Sequence, residues 1–222
     1  MNNMRKHLLL AGGLLLGLTA AAAANEIINV VDADWTVNTV IPAGSLAGIT
    51  AYQTFTSLRS SPIADVSVDL DISGGFNSTL YGYLNLQDAK GAVVTEILLN
   101  QVGTAPGNPF GSFGAGFNNI ILTDAGTANG SIHGAAGVPT GAWLPDSANT
   151  LDGTFGGLTA NGTWTLFLAD RVAGSPAPTL VSWGLDVNVV PDQPLTPAFT
   201  AVLLGLVTVG GSLCRTLRRP TA

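Results

Sequence analysis

Two stretches decide the fold: Asn161-Gly162-Thr163-Trp164-Thr165-Leu166-Phe167-Leu168-Ala169-Asp170 and Leu180-Val181-Ser182-Trp183-Gly184-Leu185-Asp186-Val187-Asn188-Val189. In the first, Trp164, Leu166 and Leu168 alternate with Thr163, Thr165 and Phe167. In the second, Val181, Trp183, Leu185, Val187 and Val189 alternate with Ser182, Gly184, Asp186 and Asn188. Successive side chains of a strand point to opposite faces, so strict alternation predicts half-buried strands of antiparallel sheets. Trp164 and Trp183 fall on the apolar faces, which predicts core packing rather than a binding platform.

The same period recurs upstream. Val66, Val68, Leu70 and Ile72 alternate with Ser67, Asp69, Asp71 and Ser73, and Leu80, Leu84 and Leu86 share a face opposite Tyr81, Tyr83 and Asn85. Turn chemistry separates the runs: Ser73-Gly74-Gly75, Lys90-Gly91, Asn129-Gly130 and Asn161-Gly162. No helical period persists beyond about two turns. Short strands joined by Gly-rich turns predict a sandwich or barrel, and about 165 residues suffice for one core.

Charge is scarce and unevenly placed. Of 222 residues 46% are apolar and 10% charged, where a soluble domain carries about 25% charged. Five of the eight cations lie at the ends: Arg5, Lys6, Arg215, Arg218 and Arg219. Between residues 25 and 190, thirteen acids face only Arg59, Lys90 and Arg171, a net charge of −10. Such a body cannot neutralise a run of phosphates, so nucleic acid is excluded as a partner, and so is an anionic lipid surface. High hydropathy argues against disorder, and the middle holds no apolar run near 20 residues, which argues against a membrane bundle. One Cys permits no intrachain disulfide.

The ends read as addresses. Arg5 and Lys6 precede the apolar run Leu8 to Ala24, which closes in small residues; residues 1–24 therefore predict a signal peptide, cleaved by signal peptidase after Ala22-Ala23-Ala24. An uncleaved anchor is the alternative. Residues 25–44 follow as a lead-in strand or linker. Residues 195–214 carry no charge and would span about 30 Å as a helix, one hydrocarbon core. Arg215, Arg218 and Arg219 in the basic end 215–222 place the C-terminus in the cytoplasm by the positive-inside rule. A buried C-terminal helix is the alternative there.

Val190-Pro191-Asp192-Gln193-Pro194, the uncharged span and the Arg cluster together resemble the PEP-CTERM family of bacterial sorting tails over about the last 33 residues. Pro191, Asp192 and Pro194 stand for the sorting motif at 191–194, with Gln193 as an insertion relative to the family's Val-Pro-Glu-Pro. The resemblance implies processing by an exosortase and release from a transient membrane anchor to the cell surface or matrix. Such proteins occur in exopolysaccharide-making bacteria, which implies a biofilm setting.

The body resembles a second family. The run Ile63 to Ile72, the run Leu80 to Leu86, then Val93 to Leu99, Ile120 to Ala125, Leu151 to Leu158, the Gly-Thr-Trp-Thr-Leu strand at 162–166 and the Leu-x-x-Trp-x-Leu strand at 180–185 are similar in order to the P domain, or Homo B domain, of kexin- and furin-like proteases. The resemblance covers about residues 45–190 and implies an all-β jelly-roll β-sandwich of the galactose-binding-like kind. Two departures stand out. The family's Ser-Pro segment is missing from Thr79 to Leu86, and only about 20–40 residues separate the expected leader from the P-like region, so the protease activity linked to the family name is not expected to carry over.

Catalytic chemistry is sparse. The body's single His, His133, sits in Gly130-Ser131-Ile132-His133-Gly134; a Ser–His–Asp triad would need Asp124 or Asp146, and no Gly-x-Ser-x-Gly elbow supplies a nucleophile, so a plain loop His is expected. The loop Thr104 to Gly116 is Gly-rich but lacks a P-loop's Gly-Lys-Ser/Thr ending. Calcium is the better metal hypothesis, because hard cations want oxygen ligands. Asp69, Asp71, Asp124, Asp146 and Asp152 are the candidates, with Asp32 and Asp34 as further acids. Asp69 and Asp71 share a strand face but lie about 6.6–7 Å apart, too far for easy shared ligation, so a solvated acidic face is the simpler expectation. The sequons at Asn77, Asn129 and Asn161 matter only in a eukaryote, and the tail points to bacteria.

These readings converge on an exported, non-enzymatic sandwich of the cell surface or matrix, with no cofactor beyond calcium. The alternatives are an accessory P domain acting with a separate subtilisin-like serine protease, and a carbohydrate-binding module using Tyr81 and Tyr83.

Overall fold

The computed structural model describes residues 27–190. The expected leader, with Ala22 and Ala24, lies outside the described residues. So does the tail, with Pro191, Asp192, Pro194, the span 195–214 and Arg215, Arg218 and Arg219. Among the described residues no helix is long and apolar enough to cross a membrane.

Nine strands form two sheets. They are β1 (Ile28–Val40), β2 (Ile49–Phe55), β3 (Ile63–Ser73), β4 (Leu80–Asp88), β5 (Val93–Asn100), β6 (Gly116–Thr123), β7 (Gly141–Trp143), β8 (Gly162–Asp170) and β9 (Thr179–Val189), with one short helix, α1 (Leu151–Phe155). The five-stranded sheet runs β1-β9-β3-β6-β7 and the four-stranded sheet β2-β8-β4-β5. All neighbours are antiparallel except β6 and β7. The chain crosses between the layers after β1, β2, β3, β5, β7 and β8, so each sheet is assembled from strands distant in sequence. The lead-in segment supplies β1, which pairs with β9 from Ile28↔Val189 to Val40↔Thr179.

The apolar positions of the alternating runs meet between the layers. Val66, Val68, Leu70 and Ile72 of β3 and Trp183, Leu185 and Val187 of β9 are buried, as are Leu80, Leu84 and Leu86 of β4 and Trp164, Leu166 and Leu168 of β8. Trp183 packs on Trp35 with ring centroids 4.9 Å apart, and Phe155 on Trp164 at 5.1 Å. The Trp164 indole donates to the Ala160 carbonyl at 3.0 Å, so its one polar atom is satisfied inside the core.

One detail of the pattern shifts. Asp71 pairs with Ser182, but Ile72 pairs with Leu180, so Val181 is an extra residue in β9. This bulge turns Leu180 into the core and leaves Val181 half-buried, reversing the phase that alternation alone assigns to that end. Gly116 shows why a glycine opens β6: its φ is +94°, and a Cβ there would lie 2.0 Å from the Ile72 carbonyl oxygen.

Candidate functional site

The loops 101–115 and 130–146 meet at His133. Its Nδ1 lies 2.8 Å from Asp146 Oδ2 and its Nε2 lies 2.8 Å from the Thr104 carbonyl. A carbonyl only accepts, so Nε2 carries a proton; the carboxylate opposite Nδ1 favours a second one. The Asp146 bond, opposed by desolvation and helped by Thr104, holds the imidazole pKa above its ordinary value. Both ring nitrogens are thus engaged, one by the Asp146 carboxylate and one by the Thr104 carbonyl, and among the described residues no hydroxyl hydrogen-bonds to the ring. Ser131 Oγ accepts from the His133 amide at 3.2 Å, and no hydrogen bond joins it to the ring. Asp146 also accepts from Asn100 N–H at 3.0 Å. The Ser–His–Asp possibility thus resolves into an ion-paired clamp between Asp146, not Asp124, and the Thr104 loop, at the rim of a cavity of about 630 Å³ lined by Gly103, Asn108, Phe113 and Gly137.

The structure distributes the calcium candidates over three places. Asp69 and Asp71 lie on the outer face of β3. Asp124 accepts the N–H groups of Leu151 and Asp152 at 3.0 and 2.8 Å, which anchors the start of α1 to the end of β6. Asp152 Oδ1 accepts from Val66 N–H at 3.0 Å, tying α1 to β3, and Asp146 belongs to the His133 clamp. Among the described residues no group of three or more His, Cys, Asp or Glu side chains is arranged to hold a metal ion. Burial, opposed by the Val66 N–H and reinforced by Asp124 and Asp65, pushes the Asp152 carboxyl up to about 6.

The outer face of the five-stranded sheet is a field of carboxylates. Asp32 faces Asp186 across β1 and β9, and Asp34 and Asp69 both face Gly184. A Cβ at Gly184 would lie 1.9 Å from Asp34 Oδ1, so the glycine leaves room for that carboxyl. Asp65 accepts from Asn188 at 3.1 Å, and Asn188 also donates to Asp186 at 3.1 Å. Asp69 is half-buried; desolvation first, then Asp34, Asp186 and Asp32, push its pKa up to about 6. Burial, then Asp32 and Asp65, also raise that of Asp186.

The outer face of the four-stranded sheet has the opposite character. Its outward positions include Tyr52, Thr54, Tyr81, Tyr83, Asn85, Thr95, Thr163, Thr165 and Phe167. Tyr83 and Phe167 are cross-strand partners, and their rings stack with centroids 4.7 Å apart and 15° between planes. Tyr81 meets Tyr83 edge-on at 6.2 Å. The Arg171 guanidinium carbon lies 5.9 Å from the Tyr81 ring centroid, and its Nη1 donates to Gln101 at 3.1 Å. Alternation placed Tyr81, Tyr83 and Phe167 outward, but only the β4–β8 register unites Phe167 with the tyrosines.

At one end of the sandwich, loops gather exposed apolar side chains. Phe110 is 72% and Phe113 65% exposed. Phe113 packs edge-on against Phe76 at 5.5 Å, and Pro109, Phe110 and Val172 border the same hollow of about 290 Å³. Sequence reasoning read this Pro/Gly segment only as a loop. Glu96, also missed, points inward from β5: it is 1% exposed, accepts from the Thr154 hydroxyl, and its Oε1 has no hydrogen-bond partner.

No family model and no curated protein matches the chain. Among solved structures, it is similar to the serine protease of Aeromonas sobria (16% identity, TM-score 0.43, over 74% of this chain and 27% of that chain). It is also similar to a structure of that protease and the chaperone ORF2 in complex (14% identity, TM-score 0.43, over 75% and 28%). The chain spans about a quarter of the length of the structures it matches.

Proposed function

We propose that this chain is a non-catalytic accessory module that works in trans with a separately encoded subtilisin-like serine protease, which it grips through the apolar loop end. The observation that carries this reading is the exposure of Phe110 and Phe113 beside Pro109 and Val172. Adjacent exposed phenylalanines with neighbouring Pro109 and Val172 form an apolar patch of the kind a partner protein can cover. His133, with both ring nitrogens engaged by Asp146 and Thr104 and no nucleophile bonded to the ring, supports a role without catalysis. The sequence resemblance to the P domain rests on the runs that form β3, β4, β5, β6, α1, β8 and β9, most specifically β8 and β9, and the order β1-β9-β3-β6 over β2-β8-β4-β5 supports its jelly-roll form. The test is surface plasmon resonance between the full chain and the subtilisin-like protease of the same genome. The Phe110→Ser/Phe113→Ser variant should keep its melting temperature and lose at least tenfold in affinity. Equal binding by that variant would overturn the reading.

From the sequence at the two ends we infer that the module is exported and sorted. Cleavage after Ala24 and processing at Pro191-Asp192-Gln193-Pro194 by an exosortase would deliver it to the surface. Mass spectrometry of the surface protein, with and without the exosortase, checks this. A C-terminus near Pro194 is expected only with the enzyme; Ala222 in both strains would defeat it.

A further inference from the structure

We propose that the outer face of the four-stranded sheet is a binding site for a neutral polysaccharide, with a hexopyranose unit held in the pocket beside the Phe167 and Tyr81 rings. The pocket is a cavity of about 380 Å³ walled by Leu46, Tyr81, Phe167, Ala169 and Arg171. A pyranose has an apolar face of C–H groups and a rim of hydroxyls. Its apolar face suits the electron-rich face of an aromatic ring; its hydroxyls need donors and acceptors around that ring. This pocket offers both. The Tyr83–Phe167 stack fixes one wall, so little side-chain entropy is left to lose on binding. Arg171 is held over Tyr81 and bonded to Gln101, a preset donor fork at the pocket.

Away from the pocket the face continues as hydroxyls and amides. Tyr52 is 66% exposed, Thr54 and Thr163 share a hydrogen bond at 3.0 Å, and Thr95 donates to Asn85 at 2.6 Å. Seven paired positions of β2 and β8 make it about 24 Å long, room for several sugar units in a chain.

Charge selects the ligand class. Between the strand ends, the outward positions of β2, β4, β5 and β8 hold no Asp or Glu. The acids Asp32, Asp34, Asp69 and Asp186 crowd the opposite face. A body this acidic repels an anionic polymer, while an aromatic, hydroxyl-lined face suits an uncharged one. The inference does not depend on the protease reading: its pocket borders the loop-end hollow at Gln101 and Val172 but is walled by other side chains.

The test is affinity electrophoresis of the full chain in native gels containing hydroxyethylcellulose, laminarin or galactomannan, with alginate as the acidic comparison. Retardation by at least one neutral polymer and none by alginate is expected. Tyr81→Ala/Phe167→Ala should weaken retardation at least tenfold. Arg171→Gln, which leaves the ring packing in place, should weaken it about threefold or more. Phe110→Ser/Phe113→Ser should bind the polymer as the wild type does. No retardation by any neutral polymer, equal retardation by alginate, or unchanged binding by Arg171→Gln together with the aromatic variant would each overturn the proposal.

Discussion

Replacing Asp69 by Asn should stabilise the domain, and by an amount that depends on pH. Asp69 sits half-buried on β3, with Asp34, Asp186 and Asp32 as its charged neighbours, and its pKa is lifted from 3.8 to about 6. A carboxyl whose folded pKa is raised binds protons more tightly in the native state. Its contribution is fully present below about pH 4 and is lost as pH rises through about 6. Fully shielded from water, a lift of about two units corresponds to about 3 kcal/mol at 1.36 kcal/mol per unit. Solvent screening at a half-exposed position reduces this to about 1 kcal/mol. Asn keeps the shape and removes the charge, so Asp69→Asn should gain about 1 kcal/mol above pH 6.5 and nothing at pH 4. For a domain of this size that is about 2–4 °C in Tm. Thermal melts of both proteins from pH 4 to 7.5 in chelator read the difference directly. A variant no more stable than wild type at pH 7.5, or a gain independent of pH, would show that ionised Asp69 does not destabilise the fold. Added calcium should leave the difference unchanged; a calcium-dependent gain in wild type alone would show that these carboxylates share an ion.

Other outcomes follow from single contacts. Asp146→Asn should bring the His133 pKa back down toward its ordinary value, read by NMR titration of the ring, because the carboxylate is the largest cause of its rise. Gly116→Ala should cost about 3 kcal/mol or more in chemical denaturation, since φ is +94° and the new methyl meets the Ile72 carbonyl. Trp164→Ala should cost about 3–5 kcal/mol, because a fully buried ring is removed between the sheets.

The central strands were legible because each has one face in the core. In β3, β4, β8 and β9 burial forces the period of two into the residues themselves, while the order β1-β9-β3-β6-β7 and β2-β8-β4-β5 is set by pairings between strands far apart in sequence. The bulge at Val181 escaped because it changes phase without changing composition. β2 is an edge strand, half-buried at Ile49, Ala51 and Phe55, so its sequence is weakly constrained. The three-residue β7 is held by a parallel pairing to β6 that no local pattern encodes. α1, with five residues capped by Thr150, is too short to show a helical period. At the candidate sites the residue types were visible and their partners were not. His133 is thirteen residues from Asp146, and nothing local chose that acid over Asp124. Phe167 and Tyr83 lie on strands far apart in sequence, so their stack exists only in the register between β4 and β8.

The proposed grip on a protease through the apolar loop end is open to direct test. The most direct measurement is the affinity of the full chain for the subtilisin-like protease of the same genome, taken side by side for wild type, Phe110→Ser/Phe113→Ser and Tyr81→Ala/Phe167→Ala. Wild type and the sheet-face variant should bind alike, with the loop-end variant at least tenfold weaker at unchanged Tm. Absence of binding by wild type, or a loop-end variant as tight as wild type, would contradict a protease grip through Phe110 and Phe113.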